Sequence, residues 1–176
     1  MPSHSAPAVL IRAGARADAS EINRIYNHYV LQTTATFDIE PWSLKRREAW
    51  LEEFAPPHFL LVAETPGVAG KLAGFACNHT FRAKAAYCRS TEVTAYTDGS
   101  ARGAGRALYS QLLERISATE MHRAYGLVVL PNPASVALHR HFGFRRVGTL
   151  REVGYKFGRY HDIALFEKVL ESRAGK

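Results

Sequence analysis

The sequence predicts a mixed α/β (α+β) domain, a mostly antiparallel sheet of six to seven strands flanked by about four helices. Three observations carry this expectation. β-branched and apolar runs alternate with helical patterns in the order β-α-α-β-β-β-α-β-α-β-β. Turn residues (Pro, Gly, Asn, Asp) punctuate the runs, and no repeat, low-complexity tract or linker interrupts them. One stretch, residues 90–113, passes from a Thr/Val/Tyr-rich run through Asp98-Gly99-Ser100 and Arg102-Gly103-Ala104-Gly105-Arg106 straight into an amphipathic helix.

Taken in order, residues 9–12 read as a first strand. Asp18 and Glu21 open a helix as cap and capping-box acid, and Ile22, Ile25, Tyr26, Tyr29 and Val30 fall on one of its faces. Residues 33–38 are too β-branched for a helix end and read as an ordered loop. Ser43 opens a second helix, which Pro56-Pro57 stops. Residues 59–63 and 72–79 form a hairpin across the turn at Pro66-Gly67, and 87–97 is the next strand. A helix over 103–117, a strand over 124–130 and a short helix between Pro133 and Gly143 follow. Strands at 145–150 and 162–169 close the chain around Tyr155 to Arg159.

At 176 residues the chain is most simply one domain, 1–176, with its core at about 9–170. A composition of 47% hydrophobic and 22% charged residues is that of an ordinary globular protein. No run approaches the ~18 apolar residues of a membrane span, and the N-terminus lacks the basic start and apolar core of a signal peptide. A cytoplasmic protein is expected, with Cys77 and Cys88 reduced packing residues and not a disulfide. The net charge of 23 − 16 = +7 is scattered over 45–47, Arg102/Arg106, 140–146 and the tail. No helix-turn-helix, zinc or RNA-binding signature accompanies it, and a polyanionic cofactor accounts for part of it equally well, so no nucleic-acid partner is expected.

The strand, glycine turn and helix of 90–113 make a place for a phosphate: glycines admit the anion, and the free N–H groups of the helix's first turn point at it. The pattern is neither a P-loop nor a dinucleotide fingerprint, because Gly-Lys-Ser/Thr is missing and Glu120 falls before the next strand. By itself the turn is equally well a tight connection.

Together with Asn132-x-x-Ser135, Leu138-His139-x-x-Phe142-Gly143-Phe144 and the element order, this stretch resembles the GNAT N-acetyltransferases. Within them, Ile25-Tyr26-Asn27-His28, Thr33-Thr34-Ala35-Thr36-Phe37, Ser135-Val136-Ala137-Leu138-His139 and Val153-Gly154-Tyr155-Lys156-Phe157-Gly158-Arg159 resemble the phosphinothricin/methionine sulfoximine N-acetyltransferases. The resemblance covers about residues 9–170. It departs at Ser100, where such loops carry Arg or Gln, and at Ala95-Tyr96-Thr97, where Val-Tyr-Val is usual.

The resemblance implies acetyl-CoA as cofactor, a homodimer, and transfer of an acetyl group to the α-amine of a small amino acid; no metal is expected, because the histidines and carboxylates show no ligand spacing. Suitable acceptors are glutamate or methionine analogues of the phosphinothricin, sulfoximine, sulfone or arsinothricin type. It assigns Glu92 as general base, His139 as the acid that protonates the leaving thiolate, and Tyr96 as a weaker helper. Cofactor contacts fall on Ala95, Tyr96 and Thr97, on Ala101, Arg102, Gly103, Ala104, Gly105, Arg106 and Ala107, and on Asn132 and Ser135. Acceptor contacts fall on Thr36, Phe37, Arg82, Glu92, Thr94 and Lys156, with Arg82 as carboxylate clamp.

Each assignment has a plain alternative. Glu92 could face solvent from a strand, His139 could share polar surface with Arg140 and His141, and Asn132 could be only a helix cap. Arg82 could be a solvated loop residue, and Lys156 part of a hairpin tip. Protein, peptide or polyamine amines are rival acceptors, and a CoA-binding module without catalysis is a rival of another class.

Overall fold

The computed structural model describes residues 9–171; the N-terminal residues 1–8 and the basic tail residues Arg173 and Lys176 lie outside them. Seven strands form one sheet: β1 (Ile11–Ala13), β2 (Leu60–Glu64), β3 (Leu72–Thr80), β4 (Ser90–Thr97), β5 (Arg123–Val129), β6 (Arg145–Lys156) and β7 (Arg159–Val169). Their order across it is β1-β2-β3-β4-β5-β7-β6. Every neighbouring pair is antiparallel except β4 and β5, which run parallel. The four helices are α1 (Ala19–Gln32), α2 (Leu44–Leu51), α3 (Ala104–Ser117) and α4 (Pro133–His141), in the element order the sequence predicts.

β2 and β3 are buried along both faces, which is why they read as continuous apolar runs and not as alternating ones. One face packs under α3 through Leu108, Leu112 and Ile116; the other packs under α1 and α2 through Ile22, Ile25, Val62 and Phe75. Cys77 is buried, Cys88 is exposed, and both are free thiols. No described helix is long and apolar enough to cross a membrane.

Five local expectations are corrected. Asp18 does not cap α1. Its carboxylate takes Arg12 of β1 through two bonds of 2.8 Å and the Ala15 N–H at 2.8 Å, because a bidentate guanidinium outbids a single backbone donor. Glu21 likewise turns to Arg24 and the Leu72 N–H. α2, capped by the Ser43 hydroxyl on the Arg46 N–H as expected, ends at Leu51 without waiting for Pro56. The strand expected from residue 87 starts at Ser90, after a 3-10 turn over Ala85–Tyr87. β6 and β7 run several residues further than predicted, meeting at a tight Phe157-Gly158 turn with both residues at positive φ.

Arg47, one of the three basic residues at 45–47, is 1% exposed. Its guanidinium lies 4.1–4.6 Å from the ring centres of Trp42, Trp50 and Tyr26, and its Nη2 has no hydrogen-bond partner. Burial pushes it down to about 10. The rings supply cation–π attraction where no counter-charge does.

Burial would raise the Asp18 carboxyl, but Arg12 and the Ala15 N–H together hold it below its ordinary value. The stability this contributes is present above the unfolded-state pKa and lost as pH falls through the lower folded one. Asp18→Asn is expected to cost about 1.5–3 kcal/mol at neutral pH, the range for hydrogen bonds to charged groups. Urea melts of the two proteins should converge towards low pH.

Candidate active site

β4 and β5 pair only over Ser90–Arg123, Thr91–Ala124 and Glu92–Tyr125. Beyond these rungs the strands part, and a cleft of about 530 Å³ opens between residues 93–97 and 127–129. The sheet therefore splays apart at this point. The β5-facing edge of β4 is left without a strand partner from Val93 on, and an extended chain bearing amides can pair there as an added strand would.

At one end of the cleft stands the N-terminus of α3. Gly103 precedes it at φ 86°, a left-handed conformation that glycine adopts without strain, and no side chain caps the first turn. The free N–H groups and the positive end of the helix dipole meet Arg102 and Arg106, which line the same cleft. Ser100 is turned away, its N–H on Asp98 Oδ1 at 2.9 Å. An uncapped helix end, two arginines and an unpaired strand edge fit a pyrophosphate followed by an amide-bearing arm.

The other wall belongs to α4. Asn132 caps it, its Oδ1 accepting from the Ser135 N–H at 3.0 Å, so the cap reading of that residue holds. His139 is not surface like Arg140 and His141; it is 4% exposed and lines the cleft. Nδ1 lies 2.8 Å from the Ser135 carbonyl and Nε2 lies 2.9 Å from the Tyr109 hydroxyl. Burial lowers its imidazole pKa, against the opposing Ser135 bond.

Along β4, Val93 packs under α3, while Tyr96, three residues on, packs against the α1 side of the sheet. The period of two puts Glu92 and Thr94 on that α1 side with Tyr96. Glu92 is half-buried and joins no hydrogen bond or ion pair among the described residues. Burial raises its carboxyl, and Arg82 opposes with its charge. Arg82 itself is exposed, its guanidinium 4.5 Å from the Phe81 ring centre. Tyr96, wedged edge-on between Tyr26 and Tyr29, is pushed up to about 12 by burial.

The loop after α1 reaches across this side. Tyr26 and Trp42 both donate to Asp38 Oδ2, at 2.7 and 2.6 Å. Lys156, 2% exposed, donates to the Thr36 carbonyl at 2.9 Å and so is no free hairpin-tip charge. The Phe37 ring rests on Gly154, where a Cβ would lie 2.0 Å from it.

Of the residues expected at the site, the cleft walls include Thr94, Ala95, Tyr96, Thr97, Arg102, Gly103, Gly105, Arg106, Asn132, Ser135 and His139. Ala104 is in the core under α3, Ala101 packs against that core, and Ala107 lies off the walls. Thr36, Phe37, Arg82, Glu92 and Lys156 also lie off the cleft walls, on or near the α1 side. Sequence reasoning missed Tyr109, which a helical pattern files as core, and the two glycines 126 and 154. An isolated glycine inside a strand pattern signals a close approach, and that signal was legible at both.

A family model described as an acetyltransferase (GNAT) domain matches residues 11–165. The chain is 43% identical to a phosphinothricin N-acetyltransferase of Streptomyces coelicolor, over 92% of this chain and 96% of that protein. It is 33% identical to an L-methionine sulfoximine/L-methionine sulfone acetyltransferase of Pseudomonas aeruginosa, covering 92% and 94%. Among solved structures, a GNAT superfamily phosphinothricin acetyltransferase from Sinorhizobium meliloti in complex with AcCoA superposes with a TM-score of 0.87. The two are 29% identical, over 96% of this chain and 92% of that one.

Proposed function

The chain belongs to the GNAT acetyltransferase family and uses acetyl-CoA, and from that premise we propose that it acetylates the α-amine of a small amino acid. The acceptor is a glutamate or methionine analogue with a tetrahedral polar group, of the phosphinothricin, sulfoximine or sulfone kind named for its relatives. The observation that carries this reading is the position of Glu92. It sits on the last rung before β4 and β5 part, with its carboxyl raised by burial.

Acetyl-CoA supplies an activated thioester; the protein holds it and moves protons. The α3 N-terminus, Arg102 and Arg106 grip its pyrophosphate, and the open edge at residues 95–97 pairs with its amides, with Asn132 and Ser135 opposite. An α-amine with a pKa of about 8 is mostly protonated at neutral pH and cannot attack. Glu92 takes that proton, directly or through a water, and its raised carboxyl is better matched to the amine than an ordinary one. Arg82 draws the acceptor carboxylate. Thr36 and Phe37 line the acceptor side, and Lys156 acts there by holding Thr36.

Thiol release from acetyl-CoA against a panel of acceptors tests this. The panel holds phosphinothricin, methionine sulfoximine, methionine sulfone, arsinothricin, ordinary amino acids, a polyamine and a lysine peptide. Saturable turnover of one analogue is expected. Turnover on only the peptide or polyamine overturns the substrate claim, and CoA binding without any turnover favours a binding module.

The protein also pairs with a second copy of itself in this proposal. β6 is an edge strand, and Val153, Tyr155, Phe157 and Tyr160 at its hairpin are each more than half exposed, an apolar strip a lone domain would leave wet. Light scattering should give twice the chain mass, and Tyr155→Ser with Tyr160→Ser should halve it. A monomeric parent protein sinks the idea.

A further inference from the structure

We propose that Tyr125 is a positioning residue for the acceptor, holding Arg82 beside Glu92 through the ring of Phe81. This rests on the acetyl-transfer reading above and adds to it a residue that acts through others. β4 and β5 pair for the last time at Glu92 and Tyr125. Ala124 and Val128 face the α3 core, so the period of two puts the Tyr125 ring on the α1 side, next to Glu92. Phe81, where the chain leaves β3, lies flat on that ring, with centres 4.2 Å apart and planes 21° from parallel. Tyr87 meets Phe81 edge-on at 6.0 Å. The Arg82 guanidinium in turn lies 4.5 Å from the Phe81 ring centre.

Little else holds Arg82. It is exposed, forms no ion pair among the described residues, and donates only to the carbonyl of its neighbour Phe81, at 3.2 Å. Glu167, which flanks Tyr125 across β5 and β7, is already taken by Arg145 at 2.6 Å and Arg123 at 3.7 Å. The guanidinium is therefore free to receive a carboxylate from outside, and its charge acts on Glu92. A loop arginine without such a shelf samples many rotamers, and ordering it falls on the binding step. Stacked on Phe81, it is ordered beforehand, with cation–π attraction as the hold. The Tyr125 hydroxyl joins no hydrogen bond among the described residues, so the face of the ring is what Phe81 needs. An α-amino acid carries its amine and carboxylate on one carbon, so the span from Glu92 to Arg82 decides whether both can be met. Tyr125 fixes that span, because it refers the clamp to the same rung as the base.

The first test needs no acceptor. In proton spectra of the parent protein the Phe81 ring current should displace the Arg82 δ-methylene signals upfield. Tyr125→Phe should keep that displacement. Tyr125→Val, which suits a strand but offers no ring face, should lose most of it. In turnover, Tyr125→Val is expected to raise the KM for the amino-acid acceptor about three- to tenfold, the range for ordering one long side chain. Both kcat and the KM for acetyl-CoA should stay at the parent values, and Tyr125→Phe should match the parent throughout. Phe81→Leu, which removes the shelf itself, should raise the acceptor KM as Tyr125→Val does. Arg82→Gln should raise it further, and Tyr125→Val added to Arg82→Gln should change nothing more. Effects that multiply would mark Tyr125 as packing only and overturn the proposal. So would Arg82 signals in Tyr125→Val that match the parent's. A parent protein that turns over only the peptide or polyamine, with the Arg82 displacement still dependent on Tyr125, would instead count against the acceptor reading and leave the hold on Arg82 standing.

Discussion

Glu92→Gln is expected to lower kcat/KM for the amino-acid acceptor by about 10²–10⁴-fold, the range general-base catalysis contributes. The amide is nearly the same size and cannot take the amine's proton, so the KM for acetyl-CoA and the fold should be unaffected. A rate within a few-fold of the parent would remove Glu92 from the mechanism. The pH profile gives a second check. Burial raises the Glu92 carboxyl, so kcat/KM should rise with pH along a limb centred above the ordinary glutamate value. The sign for stability is the reverse of the Asp18 case. A raised carboxyl binds its proton more tightly in the folded state, so folding carries no penalty below the ordinary value and the full penalty above the raised one. The Gln variant should therefore melt no lower than the parent at neutral pH, and the two should converge in acid.

Gly126→Ala is the second large effect expected. The added methyl would stand 2.0 Å from His139 Nε2 and 2.5 Å from Cδ2, and the ring cannot retreat because Phe166 stacks against it. The ring must swing away and give up its bond to Tyr109. Overpacking of this kind costs about 1–3 kcal/mol. Activity should fall to the level of His139→Ala. Gly148→Ala is the control, since a Cβ there meets nothing within 4 Å. Nitrogen-15 spectra of the imidazole would show the change directly. A Gly126→Ala protein that kept parent kcat and an Nδ1–H tautomer would show that the ring does not depend on that gap.

The order of elements was legible because periodicity reports burial: 3.6 for Ile22, Ile25 and Val30, and continuous apolarity for the doubly covered residues 60–63. The long hairpin was less so. β6 is exposed on both faces as far as Val153, and beyond it Gly154 and Lys156 are buried while Val153 and Tyr155 face out, the reverse of the usual apolar-in pattern. Asp18 and Glu21 matched a local capping pattern, but their partners, Arg12 and Leu72, arrive from other strands. Nothing in the run 45–47 marks Arg47 as interior, and only the tertiary meeting of three aromatic rings makes it so. The cleft could be anticipated around Gly103, where the turn chemistry is local. Tyr109 could not, because its use depends on α4 arriving at hydrogen-bond distance, thirty residues later.

The short pairing of β4 with β5 has a mechanical consequence. Three rungs are a narrow hinge, and the sheet is in effect two plates: β1 to β4, carrying α1, α2 and α3, and β5 to β7, carrying α4. Each face has its own latch across the seam. On one, Tyr109 of the first plate grips His139 of the second; on the other, Thr36 and Phe37 grip Lys156 and Gly154. Glu92 rides on the first plate and His139 on the second, so the spacing between the two follows the angle of the wedge. Whatever fills the wedge sets that angle.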